Sequence, residues 1–413
     1  MLSETKIPKG FQKTELGIIP DDWHIKEFQD VMTGFFSGAT PYRGRTEYYK
    51  GNIKWITSGE LNYNIITDTI EKITEEAVKN TNLKVLPKGT FLFAITGLEA
   101  EGTRGSCGIT GVEATTNQSC MALFPKDTLD NGYLYHFYVW QGKMLALKYC
   151  QGTKQQSYTG KIARTLPIIL PPTKSEQTAI ATALSDTDVL IENLEKFIAK
   201  KRNIKHCIIR QMLTPRENWK SRKIKEIVST PVTDGPHETP QFLKGGIPFL
   251  SVNNLVDNKI NLNDLRFISL EDHILFSKKC KPQKNDILLG KAASVGKVAI
   301  VNTDFEFNIW SPIALIRPND LFVPDYIYYF FQTNQILKQI EFFTNSSSQG
   351  NIGMGDIEKI EINYPPYEEQ VQIAQLLHSI DCELEVMDQK LQKYEMIKQG
   401  MMQVLLTGKI RLS

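Results

Sequence analysis

Few residues in this chain have the types and spacing that chemistry needs. Asn363-Tyr364-Pro365-Pro366-Tyr367 has the outline of an Asn/Asp-Pro-Pro-aromatic loop that holds an amine for methyl transfer. In such a loop the amide stands directly before the first proline. Here Tyr364 occupies that place and Asn363 is one residue early. The matching segment of the first half, Leu170-Pro171-Pro172-Thr173, has no polar group there at all, so both read as helix-entry elements. No glycine-rich loop follows a strand in the way an adenosyl cofactor would need. Gly290-Lys291-Ala292-Ala293-Ser294-Val295-Gly296-Lys297-Val298 mimics a phosphate-binding loop. It places five residues between the glycines where four are required, and valine replaces the magnesium-binding Ser/Thr. Six histidines (His24, His136, His206, His237, His273, His378) make no metal-binding spacing. Six cysteines (Cys107, Cys120, Cys150, Cys207, Cys280, Cys382) stand far apart without a C-x-x-C pair, so they read as reduced thiols. No catalytic and no metal-binding residue is expected.

What remains is a set of turn-like segments mixing cations, amides and aromatics. They are Thr40-Pro41-Tyr42-Arg43-Gly44-Arg45, Thr103-Arg104-Gly105, and Lys154-Gln155-Gln156-Ser157-Tyr158. The second half offers Asp234-Gly235-Pro236-His237, Asn253-Asn254, Lys291 to Lys297, and Ser348-Gln349-Gly350-Asn351. Arg and Lys suit phosphate or guanine, Asn and Gln suit adenine, and Gly permits close backbone approach. The candidate DNA-binding residues are therefore Thr40, Tyr42, Arg43, Arg45, Arg104, Lys154, Gln155, Gln156, Tyr158, His237, Asn253, Asn254, Lys291, Lys297, Ser348, Gln349 and Asn351. Taken singly, each is an ordinary solvated loop residue. Taken together, corresponding loops of both halves are polar while their residues differ, as expected if each half reads a different short sequence.

The elements that must position these loops come from a duplication. Lys50-Gly51-Asn52-Ile53-Lys54-Trp55-Ile56 lines up with Lys244-Gly245-Gly246-Ile247-Pro248-Phe249-Leu250, Trp23 with Trp219, and Tyr133-Leu134-Tyr135 with Tyr326-Ile327-Tyr328. Pro171-Pro172 matches Pro365-Pro366, and Glu176-Gln177 matches Glu369-Gln370. The offset holds at about 192–196 along the chain, and such self-similarity marks one repeated structural unit. Each unit opens on a mixed portion with short apolar runs such as Phe91-Leu92-Phe93-Ala94 and Ile287-Leu288-Leu289, and with helices expected over 133–149 and 325–343. After each Pro-Pro about 40 residues run without proline. There Ile373, Leu377, Ile380, Leu384, Met387, Leu391, Tyr394, Lys398, Met401 and Leu405 alternate steps of four and three, the heptad rhythm. The first copy carries Ile180, Leu184, Thr187, Ile191, Leu194, Ile198, Lys201, Lys205, Ile208 and Met212. Two paired helices are expected, with Ile180, Leu184, Ile191, Leu194, Ile198, Ile373, Leu377, Ile380, Leu384, Met387 and Leu391 as pairing residues. The alternative is that each helix covers its own mixed portion. The expected divisions are 1–172, 173–214, 215–366 and 367–413.

Composition sets the outer limits. The chain has 413 residues, 41% hydrophobic and 23% charged, which excludes a disordered or disulfide-dense miniature protein. No apolar run reaches the roughly 20 residues of a membrane span, and the N-terminus lacks the apolar core of a secretory signal. A cytoplasmic protein is expected. Net charge is only +2, so bulk charge neither supports nor excludes a nucleic-acid partner.

In layout the chain resembles the specificity subunit of type I restriction–modification systems. The resemblance covers the full length. It rests on the tandem mixed portions and paired helices. The phrases that carry it are Glu15-Leu16-Gly17-Ile18-Ile19-Pro20-Asp21-Asp22-Trp23, Asp234-Gly235-Pro236-His237, Pro-Pro followed by Glu-Gln, and Leu405-Leu406-Thr407-Gly408-Lys409-Ile410-Arg411-Leu412. It implies an α+β architecture: two mixed α/β target-recognition domains in pseudo-two-fold arrangement, separated by two long antiparallel coiled-coil helices. Each domain would read one half of a bipartite double-stranded DNA site. The helices would set the gap and dock two modification (methyltransferase) subunits, which carry S-adenosylmethionine. Restriction subunits, ATP-dependent translocase and nuclease, complete such systems, and this chain would need no cofactor of its own. One departure is that Asp234-Gly235-Pro236-His237 has no close copy in the first half, where Ser37-Gly38-Ala39-Thr40-Pro41 stands. A coiled-coil scaffold without DNA binding is the competing reading. A stand-alone methyltransferase is a third, against which the broken Tyr364-Pro365-Pro366-Tyr367 motif argues.

Overall fold

The structure, a computed structural model, describes residues 7–152, 154–345 and 350–412. Backbone contacts gather the chain into two units, Met1–Leu194 with Lys390–Ser413, and Glu195–Gln389. The two long helices, Lys174–Met212 and Tyr367–Leu405, therefore each contribute to both units.

The first unit is built on a five-stranded sheet in the order Met32–Ser37, Cys120–Pro125, Phe91–Ala94, Cys107–Thr110, Asn64–Ile66. Phe91–Ala94 is an unbroken apolar run because both its faces are covered, and all four of its residues are buried. Beside this sheet lies a smaller one, in which Thr115–Thr116 runs parallel to Ile53–Ile56 and Glu71–Ile73 pairs on the other edge. The helix Asn131–Tyr149 closes the core, where Phe91, Phe93, Tyr133, Phe137 and Tyr138 are fully buried.

The second unit repeats the plan. Its larger sheet runs Thr233–Asp234, Ile313–Ile316, Ile287–Gly290, Val298–Ile300. Its smaller sheet sets Asn308–Ile309 parallel to Ile247–Leu250, as the first unit sets Thr115–Thr116 to Ile53–Ile56. The expected helix over 325–343 is broken into Pro324–Phe330 and Asn334–Asn345. Thr333 explains the break: its hydroxyl donates to the Phe330 carbonyl at 2.7 Å and faces the Ile336 amide, capping a new helix.

Both Pro-Pro segments enter helices, and the glutamine that follows each is a clamp. Gln177 accepts from the Asp130 amide at 2.9 Å, and Gln370 from the Val323 amide at 3.1 Å. The Tyr133 and Tyr326 hydroxyls, one repeat apart, donate to the carbonyls of Ile169 and Asn363. The Asn363-Tyr364-Pro365-Pro366-Tyr367 segment is thus tied up in helix entry.

Within each unit the two long helices run antiparallel: in the first, Thr187 meets Met401 and Asp188 meets Lys398, and in the second the partner numbers fall from Asp388 at Arg202 to Asp381 at Lys205. Asp188 pairs with Lys398 in the first unit; Lys201 with Glu383, Arg202 with Asp388, and Lys205 with Asp381 pair in the second. An arginine beyond each helix clips the first turn of the other. Arg411 holds Glu176 and Asp22, and Arg216 holds Glu369 at 3.3 Å. Of the seam residues, Ile180, Leu184, Ile373 and Leu377 are fully buried, and Ile198, Ile380 and Leu384 nearly so. Ile191, Leu194, Met387 and Leu391 are half-buried. Ile180 and Leu184 share one cluster with Met402 and Leu405 of the other helix and with Tyr133 and Phe137 of the mixed portion. Pairing of the helices and covering of the mixed portions, two alternatives in the sequence, both occur. A helix face is wide enough to meet two neighbours.

A duplicated node joins each mixed portion to the helices. In the second unit Tyr329 donates to Asp381 at 2.7 Å, and Lys205 lies 2.6 Å from the same carboxylate. One repeat away, His136 meets Ser185 at 2.9 Å and lies 4.0 Å from Asp188, which Lys398 holds.

Candidate nucleic-acid interface

The polar loops of each unit leave the ends of its strands and touch one another in series. In the first unit the Ala39 amide donates to Thr116 at 3.1 Å, and the Thr40 hydroxyl donates to Gln118 at 2.5 Å. The Ile95 amide donates to Ser119, and the Tyr158 amide to Ile95. The Leu98 amide donates to the Gln156 carbonyl, while the Gln156 amide donates to Glu99 at 2.8 Å. Loops 37–45, 95–105, 116–119 and 156–158 are thereby stitched into one edge, though they are far apart in sequence.

The cations on this edge divide into fixed and free. Arg43 grips Glu71 through two bonds of 2.5 and 2.8 Å and lies over the Tyr49 ring at 4.4 Å. That grip holds the Glu71 carboxyl below its ordinary pKa, with burial opposing. Arg45 donates to the Tyr48 hydroxyl, and Arg104 donates to the carbonyls of Leu98 and Glu99, locking its own turn. Tyr42, 74% exposed, projects outward, and Lys154 and Gln155 are exposed. Gln156 is half-buried. Tyr158 is a core residue, 3% exposed and packed on Phe93, so the loop does not display it. Its counterpart Ile352 is buried too.

In the second unit the same edge centres on Asp234, buried at the tip of its strand. Lys279 lies 2.5 Å from its carboxylate, Lys291 3.1 Å and His237 3.3 Å. Burial resists ionisation of Asp234, but the two ammonium groups outweigh it and hold the carboxyl below its ordinary value. The Lys291 backbone ties three loops together: its amide donates to Pro312, and its carbonyl accepts from Ile352. The 290–297 segment is a hairpin loop between two strands, closed by the Gly290 amide on the Lys297 carbonyl, and Lys297 is half-buried. Asn254 is buried, and its side chain accepts from the Ser251 amide and donates to the Asn261 carbonyl, as Glu60 accepts from Thr57 in the first unit. Asn253 is exposed, His237 largely so, and Asn351 half-buried. Ser348 and Gln349 lie outside the described residues.

The departure noted at Asp234-Gly235-Pro236-His237 is one of side chains, not of backbone. Gly38 and Gly235 occupy the same place: a Cβ on either would fall 1.9 Å from the Thr116 oxygen or 1.7 Å from the Ile309 oxygen. Only glycine lets these strands pass so closely. Sequence reasoning missed Lys279, Glu99 and Gln118. Each meets its partner across tens of residues, and no local spacing announces that. Among the described residues, no group of His, Cys, Asp and Glu could hold a metal, and no helix is long and apolar enough to cross a membrane.

Two copies of one scaffold, each presenting a stitched edge of unlike polar loops, define a paired recognition protein. The chain belongs to the family described as the type I restriction modification DNA specificity domain, which matches residues 20–201 and again 216–396. It is 26% identical to the type I restriction enzyme MjaIX specificity subunit of Methanocaldococcus jannaschii, over 97% of this chain and 93% of that one. It is also 26% identical to the EcoBI specificity subunit of Escherichia coli, over 49% of this chain and 42% of that one. The crystal structure of a type I restriction-modification S subunit from M. genitalium shares the fold, with a TM-score of 0.63 at 16% identity and 97% of both chains covered.

Proposed function

We propose that this chain is the sequence-specific DNA-recognition subunit of a type I restriction–modification complex, each unit reading one half of a bipartite duplex target. The carrying observation is the repeated edge: equivalent loops, held by equivalent backbone bonds, present different side chains in the two units. A common frame with unlike tips is what two different half-sites require. The long helices set the gap and dock two modification subunits, which supply S-adenosylmethionine and methyl transfer. Restriction subunits supply translocation and cleavage. The chain works in the cytoplasm, contributes no catalytic group and needs no cofactor of its own. Of the candidate contacts, Tyr42, Lys154, Gln155 and Asn253 are exposed and free to meet bases or phosphates, and His237 is exposed while resting on Asp234. Arg43, Arg104, Lys291 and Asn254 shape the loops that carry them.

The test is single-molecule mapping of methylated adenines in cells with and without this chain. A bipartite motif that vanishes with the chain supports the reading. Salt-dependent retention of duplex DNA by the complex, lost on Tyr42→Ala with Lys154→Gln, supports it biochemically. A chain that assembles with its partners while DNA retention is unaffected by loop changes is a scaffold instead.

A further inference from the structure

The second unit carries a charged surface that its twin lacks. Lys223 at the end of strand Lys220–Lys223, Lys338 on helix Asn334–Asn345, and Lys359 before strand Glu361–Tyr364 surround one open concavity of about 450 Å³. Phe342, 70% exposed, Phe343 and the carboxylate-bearing Glu361 also line it. Among the described residues, no carboxylate lies within 4.0 Å of the Lys223 or Lys338 ammonium group; Lys359 meets Asp356 at 2.8 Å. Strand pairing aligns the twin residues, since Lys223 faces Glu361 where Glu27 faces Pro167. At the two lysine positions that strand pairing aligns, Lys223 and Lys359, the first unit has Glu27 and Thr165. Lys223 and Lys359 are therefore additions to the shared frame, and Lys338 stands on a helix that the first unit does not set apart.

The platform is held firmly. Gln339 donates to the Glu361 carbonyl at 3.0 Å and accepts from the Glu361 amide at 2.9 Å, pinning helix to strand. It also adjoins the recognition edge. The helix bearing Lys338 ends at Asn345, roughly 10 Å further along its axis. The same helix lies beside the 290–297 loop of that edge, where a Cβ on Gly296 would fall 3.6 Å from the Leu337 side chain. Three ammonium groups around one concavity, on the unit that carries that edge, suit a polyanion.

We propose that Lys223, Lys338 and Lys359 hold the phosphodiester backbone of duplex DNA next to the bases read by the second unit, a sequence-independent grip that the first unit lacks. This rests on the DNA-reading function proposed above.

The experiment uses the full chain assembled with its modification subunits. Binding is measured against salt concentration on a long duplex and on duplexes trimmed on either flank of the site. The variant Lys223→Gln/Lys338→Gln/Lys359→Gln should lower the log–log salt slope by about three and weaken binding to the long duplex roughly tenfold or more. It should leave the preferred half-sequences unchanged. Trimming one flank, and not the other, should erase the difference, and the triple Lys→Arg variant should behave as wild type. An unchanged slope on the long duplex overturns the grip while leaving the recognition function intact. So does weakened assembly with the modification subunits at an unchanged slope, which would make this an acidic-protein surface. A wild-type complex that binds no duplex at all overturns the function itself.

Discussion

His136 departs from its twin, Tyr329, in a way that makes the first unit sensitive to acid. Burial drives the imidazole pKa down to about 4, and the opposing pull of Asp188 is smaller. The unfolded chain takes up this proton near the ordinary value of 6.5, whereas the folded chain resists until about 4. The contribution to stability is thus complete above pH 6.5 and is lost as pH falls from 6.5 to 4. The full loss is about 3 kcal/mol. Tyr329, at the same place in the second unit, keeps a bond to Asp381 without titrating in this range. His136→Tyr should therefore shrink the fall in melting temperature between pH 7 and pH 4.5, read by calorimetry. An undiminished fall would assign that acid sensitivity to other groups. At this scale the sequence was partly legible. Residue types at Tyr42, Lys154 and Asn253 announced polar loops, but burial of Tyr158 and Asn254 depends on what packs beside them.

At the scale of elements, the closeness of strands governs the recognition edge. Gly38→Ala and Gly235→Ala should each destabilise the protein by about 1–3 kcal/mol, because backbone oxygens stand where the methyl group must go. Each should also weaken reading of one half-site only, seen as relaxed methylation at that half. Equal effects on both halves would mean that the edges are not independent. The long helices were the most legible elements: the observed Lys174–Met212 and Tyr367–Leu405 lie where the heptad rhythm and the Pro-Pro entries put them. The break at Thr333 was hidden, since a single hydroxyl recapping a helix leaves the apolar pattern intact. Leu184→Ala should cost about 2–5 kcal/mol by chemical denaturation, as its side chain is fully buried in the first unit's core. A loss below about 1 kcal/mol would show that the seam is not holding the mixed portion.

For the whole molecule, the proposed function makes the helices a ruler. Each of 39 residues is roughly 58 Å long, and a flexible linker could not fix a spacing in the way a rod does. Removing one facing heptad from both helices, about 10 Å, should shorten the preferred gap by about three base pairs and leave both half-sequences unchanged. A methylation map with unaltered spacing would refute the ruler. Replacing residues 215–364 with the corresponding domain of another family member should change one half-site and spare the other.

The sequence by itself determined the duplication, the heptad helices, the polar character of the loops and the lack of a sound catalytic motif. These are properties of residue type and spacing along the chain, and they are written wherever a pattern repeats. Only the tertiary structure decided which loop residues stay free. Arg43 is occupied by Glu71, 28 residues on, and Asp234 gathers lysines 45 and 57 residues away. Such partners are chosen by how strands register and turns approach, which depends on contacts that no local window contains.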